Sequence, residues 1–322
     1  MISEARIKQE LNNVLDETNL GAEFGVREKG KVRDSYKRKG ERIIVVSDRI
    51  SAFDCVLGTI PFKGQVLNQL AAFWFEKTRD ICPNHVISIP DPNVMIVREC
   101  EQLPLEFVMR GYITGVTKTS AWYNYQQGVR NYCGNVLPEG LKKDQKLPKP
   151  ILTPTTKHEK HDRPISRDEA INEKLIDAGT FDEAASICFN IFQRGVEFAK
   201  SRGLILVDTK YEIGKYNGKL TVSDEVHTPD SSRYWFADTY EKLFKAGKDQ
   251  RKIDKEYVRE WLAAKGFTGE GKPPALTDEV RIEAAKRYIQ AYEQVTGLEF
   301  KISDEPVEQR ITRNLKKALN KG

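Results

Sequence analysis

Asp208, Lys210 and Glu212 stand two residues apart within Leu-Val-Asp-Thr-Lys-Tyr-Glu-Ile-Gly, residues 206 to 214. A strand turns alternate residues to the same side, so this spacing puts two carboxylates and an ammonium on one face. The apolar run Leu204 to Val207 before them suits a buried strand. Asn217-Gly218 follows, and that dipeptide favours a type I′ hairpin turn because both central positions need positive φ. Pairing across the turn sets Tyr216 against Lys219 and Glu212 against Ser223. The second arm then returns Asp224-Glu225 to the neighbourhood of Glu212. Carboxylates near a lysine on a rigid hairpin can seat Mg²⁺ and a phosphate chain. The plainer alternative is a solvated hairpin carrying ordinary surface charges. A strictly regular ladder would give Glu225, not Asp224, the face of Lys210 and Glu212.

Other elements must hold partners for these groups. Phe24 to Tyr36, followed by the strand Ile43 to Ser47, reads as a three-stranded antiparallel meander whose first turn carries Lys29, Gly30 and Lys31. Such a loop can cover phosphates, although it matches neither Gly-x-x-x-x-Gly-Lys-Ser/Thr nor Gly-x-Gly-x-x-Gly, and an exposed basic tip also explains it. Ser47 to Asp54 lies at a strand end, where α/β proteins often place ligand contacts and where turn chemistry alone also favours Ser and Asp. The strand Leu103 to Tyr112 carries Arg110, whose planar guanidinium suits a carboxylate or phosphate. Prolines hold Leu147 to Asp162 extended. Its His158, Glu159, His161 and Asp162 do not follow the helical His-Glu-x-x-His pattern, so a polar lid or surface loop is expected. Helices are expected over 3–16, 63–77, 120–127, 238–264 and 277–296. Capping boxes at Ser166/Glu169 and Thr180/Glu183 open two more. A last helix, 308–320, lines up Ile311, Leu315 and Leu319 beneath Arg310, Arg313, Lys316 and Lys317.

Composition bounds the classes. The chain has 322 residues, 39% of them hydrophobic, enough for one large or two intimate domains. Its 52 Lys and Arg against 47 Asp and Glu leave +5, dispersed rather than blocked, which fits anionic small molecules better than a nucleic-acid surface. Five widely spaced cysteines without a Cys-x-x-Cys pair argue against a zinc module or a disulfide framework. No apolar run reaches about 18 residues and the N-terminus lacks a signal core, so a soluble cytoplasmic protein without nucleic-acid or membrane partners is expected. The sequence leaves the oligomeric state open.

The motifs fall into one pattern. Leu103-Pro104-Leu105-Glu106-Phe107-Val108-Met109-Arg110-Gly111-Tyr112-Ile113-Thr114-Gly115 and Leu206 to Gly214 resemble the two signatures of the phosphoribosylaminoimidazole-succinocarboxamide synthase (SAICAR synthetase) family. The resemblance extends to Gly30 to Asp34, Ser47 to Asp54, Leu147 to Lys157 and Asp224 to Trp235. It implies an ATP- and Mg²⁺-dependent ligase of purine biosynthesis that joins the carboxylate of 5-aminoimidazole-4-carboxyribonucleotide (CAIR) to the amino group of L-aspartate, by way of an acyl phosphate. It also implies roles. Gly30 and Lys31 would cover the ATP phosphates with Lys157, and Glu212 and Asp224 would hold Mg²⁺ and, with Lys210, form the catalytic group. Asp54, Arg110, Lys210 and Arg233 would contact CAIR, supported by Asp208 and Ser232, with Ser51 and Ser120 as further hydroxyls. The family normally continues Gly-Ser where Gly115 is followed here by Val116, leaving Thr117, Thr119 or Ser120 to supply the hydroxyl.

The expected fold is α/β of the α+β kind: a small N-terminal antiparallel sheet in 1–110, over a larger part, 111–322, that carries the hairpin and the C-terminal helices. A kinase-like ATP cleft would lie between them. Two other readings compete: a small-molecule kinase using the same ATP site, and an RNA-binding protein using the basic last helix, which lacks the aromatic and basic interleaving of a sheet platform.

Overall fold

The computed structural model describes residues 2–52, 55–157, 162–253, 256–267, 269 and 271–320. Two antiparallel sheets carry the cleft. The small sheet runs in the order Val26–Lys29, Arg33–Arg38, Glu41–Val46, Val94–Arg98, Val86–Asp91. The large sheet runs Gln145–Leu152, Glu101–Ile113, Leu204–Tyr216, Lys219–Ser223, and Ser232–Phe236 also pairs with Leu204–Tyr216. The meander, the hairpin and the Arg110 strand are as the sequence predicts. Gln145–Leu152, read there as extended loop, is a strand paired with the Arg110 strand, so its extended prolines serve an edge.

Alternation decides what each face meets. On the small sheet Ile43, Val45, Val94 and Ile96 pack with Ile311 and Leu315 of the last helix, Val307–Leu319. Arg42, Ile44 and Val97 fall on the opposite face, towards the hairpin. The last helix therefore backs the small sheet, not the larger part as its position in the chain suggests. Its Arg310 is not on a solvated basic side either. It is buried, and it donates to Asp91 (3.1 and 3.3 Å) and Asn93 (2.6 Å) at the end of the Val86–Asp91 strand. The preceding helix, Asp278–Thr296, packs against Lys63–Thr78.

In the large sheet, Leu105, Phe107, Met109, Leu206, Tyr211 and Ile213 enter the main core, against Phe181 and Phe192 of the helix Ala178–Ser201. Leu206 and Tyr211 differ in parity, and a register shift between Leu206 and Asp208 accounts for it. The bulge moves the alternation by one residue, so Asp208, Lys210 and Glu212 face away from that helix although Leu204 and Leu206 face towards it. The Ala178–Ser201 helix is capped by Asp177, which accepts from the Thr180 amide (2.9 Å), so Thr180 is not the cap its spacing to Glu183 suggests. The Ser166/Glu169 capping box is complete. The first helix is shorter than expected, Glu4–Gln9 with a 3₁₀ turn after it. No described helix is long and apolar enough to cross a membrane.

The buried Arg310–Asp91 pair ties the end of the chain to the small sheet. Removing one partner leaves the other charged and dry, so Arg310→Met is expected to cost about 3–5 kcal/mol in urea unfolding. A midpoint unchanged from the parent chain contradicts that reading.

Candidate active site

The bulge aims Asp208, Lys210 and Glu212 at groups from three other strands. Asp208 stands opposite Arg110 on one side and Arg233 on the other. It accepts from both guanidiniums, at 3.4 Å and 2.5 Å. Arg110 also donates to Thr153 Oγ1 (2.8 Å) and to the Thr119 carbonyl (3.1 Å), which locks its plane. Ser232 donates to Thr209 Oγ1 at 2.8 Å. Asp208, Lys210, Arg110, Ser232, Arg233 and Arg259 line one cleft, whose floor also includes Asp230. Asp230 accepts from the fully buried Lys63 (2.9 Å) and from the Tyr288 hydroxyl (2.8 Å).

At the other end of the triad Glu212 stands opposite Glu106 on the neighbouring strand. Two like charges so placed repel. Lys210 relieves them, donating to Glu106 at 2.9 Å and to Glu212 at 2.8 Å, while Lys157 pairs with the second Glu212 oxygen. Burial alone would push the Glu212 carboxyl up, but Lys210 and Lys157 outweigh it and bring it down to about 2. Burial would likewise lower the Lys210 ammonium, and Glu212 with Glu106 holds it above its ordinary range instead. His85, in the same cleft, is pushed down to about 3 by burial and then by Arg33, so it is neutral.

The hairpin is the one the sequence predicts, with Glu212 opposite Ser223 and positive φ at Asn217 (50°) and Gly218 (74°). The strand stops at Ser223, and Asp224 takes φ of 61°, in the left-handed region that Asp tolerates. Alternation no longer applies beyond Ser223, and Asp224 Oδ2 lies 3.9 Å from Lys210 Nζ. Asp224, not Glu225, therefore shares the ammonium with Glu212. Arg33 of the small sheet pairs with Asp224 and with Glu225 (2.8 Å), while Thr228 donates to Glu225.

Other expected residues are placed less directly. Gly30 and Lys31 form the first turn of the small sheet, their carbonyls turned onto Arg49 (3.1 and 2.9 Å). Arg49 and Asp48 are buried: Arg49 also holds Asp34, and Asp48 accepts from the Leu15 and Gly64 amides, so much of the Ser47 to Asp54 stretch is scaffold. Ser51 lies on a separate ladder, Arg49–Ala52 with Cys55–Thr59. Asp54, His158, Glu159 and His161 lie outside the described residues. Of the three hydroxyls after Gly115, Thr117 lines a cavity shared with Arg233 and Arg259, while Ser120 is buried beneath it at 2.7 Å. Thr119 uses its carbonyl on Arg110. Gly115 has φ of 93°, and a Cβ there would lie 2.5 Å from Ser120 Oγ, so only glycine fits.

A family model described as SAICAR synthetase matches residues 26–275. The chain belongs to the SAICAR synthetase family. A phosphoribosylaminoimidazole-succinocarboxamide synthase of Legionella pneumophila (strain Paris) is 48% identical over 310 residues, covering 95% of this chain and 98% of that protein. The chloroplastic synthase of Arabidopsis thaliana is 48% identical over 321 residues, covering 98% and 78%. Among solved structures, the Saccharomyces cerevisiae SAICAR synthase complexed with SAICAR superposes with a TM-score of 0.79 at 30% identity, covering 89% of this chain and all of that one.

The sequence reading gives no role to Glu106, Arg33, Asp230 or Arg259, although the first three lie inside the stretches that resemble the family. Glu106 was readable, since it alternates with Arg110 along one strand. Arg33, Asp230 and Arg259 reach the site only through contacts distant in sequence.

The lowered Glu212 group links stability to pH. Its stabilising contribution is present above the ordinary carboxylate range and is lost as pH falls from about 4.5 towards 2. Glu212→Gln is thus expected to be less stable than the parent near neutral pH, the gap narrowing once pH drops below about 4.5. Urea midpoints across that range measure it; a gap that stays constant down to about pH 3 contradicts the assignment.

Proposed function

We propose that this site divides one reaction among its two ends. The chain is an ATP-dependent carbon–nitrogen ligase: it joins the CAIR carboxylate to the amine of L-aspartate, forming SAICAR, ADP and phosphate in purine biosynthesis. A carboxylate is a poor electrophile, so ATP must first activate it. A CAIR carboxylate oxygen attacks the γ-phosphorus, ADP leaves, and the resulting acyl phosphate is open to the amine. The aspartate nitrogen adds to the acyl carbon, phosphate departs with the former carboxylate oxygen, and the nitrogen releases a proton.

The observation that carries this reading is the single polar face running from Glu212 through Lys210 to Asp208. At roughly 3.3 Å per residue its ends are about 13 Å apart, enough to separate a phosphoryl-transfer end from a nucleotide-recognition end. At the first end, Lys157 and Lys31 with Gly30 serve the ATP phosphates, and Arg42, Ile44 and Gln102 line the cleft between the sheets. Mg²⁺ fits there: Glu212 and Asp224 already address one cation, the Lys210 ammonium, from two sides. Among the described residues no cluster of three or more His, Cys, Asp or Glu forms a cage, which suits an ion that takes one or two carboxylates and completes its shell with phosphates and water. Bound there, Mg²⁺ would neutralise charge on the transferring phosphoryl group. Lys210, held above its ordinary range, stays charged and steadies the carboxylate under attack.

At the second end, Arg110 and Arg233 bind the ribosyl phosphate of CAIR, both held in place by Asp208 and Arg110 also by Thr153. Thr117, braced by Ser120, supplies the hydroxyl, with Ser51 and Asp54 as further contacts. Residues 1–110 cover the nucleotide and 111–322 bring the hairpin and substrate groups, the strand Glu101–Ile113 being shared between them. All five cysteines are free, which supports a reducing compartment, and we place the protein in the cytoplasm.

Omitting CAIR, aspartate or ATP in turn tests the reading: ADP should accumulate only with all three, and steady ADP release without aspartate favours a kinase. Glu212→Gln is expected to lower kcat at least about 100-fold. Arg110→Lys, which loses the planar fork, is expected to raise the KM for CAIR about tenfold with that for ATP little changed. A change confined to the ATP dependence would displace Arg110 from the CAIR end.

A further inference from the structure

Arg33 is the one described small-sheet side chain recorded in an ion pair with the hairpin carboxylates, reaching Asp224 and Glu225 across 191 residues of chain. Both ends of this contact are tightly held. Arg33 opens the strand Arg33–Arg38, whose first turn is pinned through the Gly30 amide to the Arg33 carbonyl (2.8 Å) and through Arg49. Asp224 sits in its left-handed corner at the end of the hairpin, and Glu225 is fixed by Thr228. With Lys157 and Lys210 on Glu212, Lys210 on Glu106 and Arg33 on Asp224 and Glu225, each of these four described carboxylates has a cationic partner.

We infer that Arg33 is a latch that exchanges with the metal: it occupies Asp224 in the nucleotide-free protein, and yields that carboxylate when a divalent cation arrives. The inference rests on the metal seat proposed above. Arg33 holds Asp224 Oδ1 while Oδ2 faces Lys210, and a divalent ion on this one carboxylate repels the guanidinium beside it, so metal displaces the pair. The released guanidinium stays within the cleft, two residues from Lys31, and is placed to take up phosphate oxygens bidentately. Metal, nucleotide and the approach of the two sheets are thereby coupled, since the contact that closes the sheets without ligand is replaced by one through the phosphates. Arg33 is a positioning residue for Asp224 in the first state and a phosphate contact in the second.

The test is Mn²⁺ binding to the full chain without nucleotide, read by electron paramagnetic resonance, followed by ATP kinetics. Arg33→Met should bind Mn²⁺ about fivefold more tightly than the parent, the size expected for releasing one partly exposed ion pair. Its KM for ATP should rise about tenfold. Arg33→Lys keeps one charge without the fork and should fall between them on both measures, which a merely structural loss does not produce. Unchanged or weaker Mn²⁺ binding in a folded Arg33→Met or Arg33→Lys chain overturns the exchange. Mn²⁺ binding unaffected by either Glu212→Gln or Asp224→Asn overturns the metal seat itself, and the latch with it.

Discussion

Two glutamates facing each other on adjacent strands are the constraint the site is built around. Glu106 and Glu212 are cross-strand neighbours, and left alone they would repel and open the sheet where it must be most ordered. Lys210 resolves the conflict from two residues away, and Lys157 adds a second cation from the edge segment. The consequence for chemistry is a cleft whose charges are arranged before any substrate arrives. Desolvation works against each ion separately and is overcome only because several are present together. Electrostatic catalysis of phosphoryl transfer asks for such an arrangement, since groups that need not reorganise stabilise a transition state at little cost.

That arrangement depends on two departures from regular strand geometry. The bulge between Leu206 and Asp208 moves the polar triad from the helix side to the cleft side. The left-handed Asp224 ends the hairpin arm and brings its carboxylate within reach of Lys210. Each breaks alternation at a residue of the proposed site, and locally unfavourable backbone is commonly found at such sites. The rest of the fold supports these two points: the long helix Ala178–Ser201 packs under the central strand, and the last helix stiffens the small sheet from behind.

Local features could be read from the sequence because local physics fixes them. Asn217-Gly218 dictates the turn, the turn dictates the register, and the register places Glu212 opposite Ser223. Arg110, Asp208 and Arg233 were identifiable as site candidates through the family signatures, and the structure brings them to one cleft. Strand alternation alone favours Glu225 over Asp224, and only the family resemblance points to Asp224, because the choice turns on one backbone dihedral at a strand end. Arg33 and Asp230 were hidden for a different reason, since their partners lie more than a hundred residues away in the chain. The docking of the last helix was misjudged on the same ground: an amphipathic pattern shows that a face is buried, not what buries it.

In the mechanism we propose, Glu212 and Asp224 change partners, from protein cations to metal and nucleotide. A crystal structure of the chain with Mg²⁺ and a non-hydrolysable ATP analogue addresses it most directly. A Mg²⁺ ion about 2.1 Å from an oxygen of each carboxylate is expected, with Lys157 and Arg33 moved onto phosphate oxygens. A nucleotide bound with its metal elsewhere, and with the Lys157–Glu212 and Arg33–Asp224 pairs intact, would contradict it.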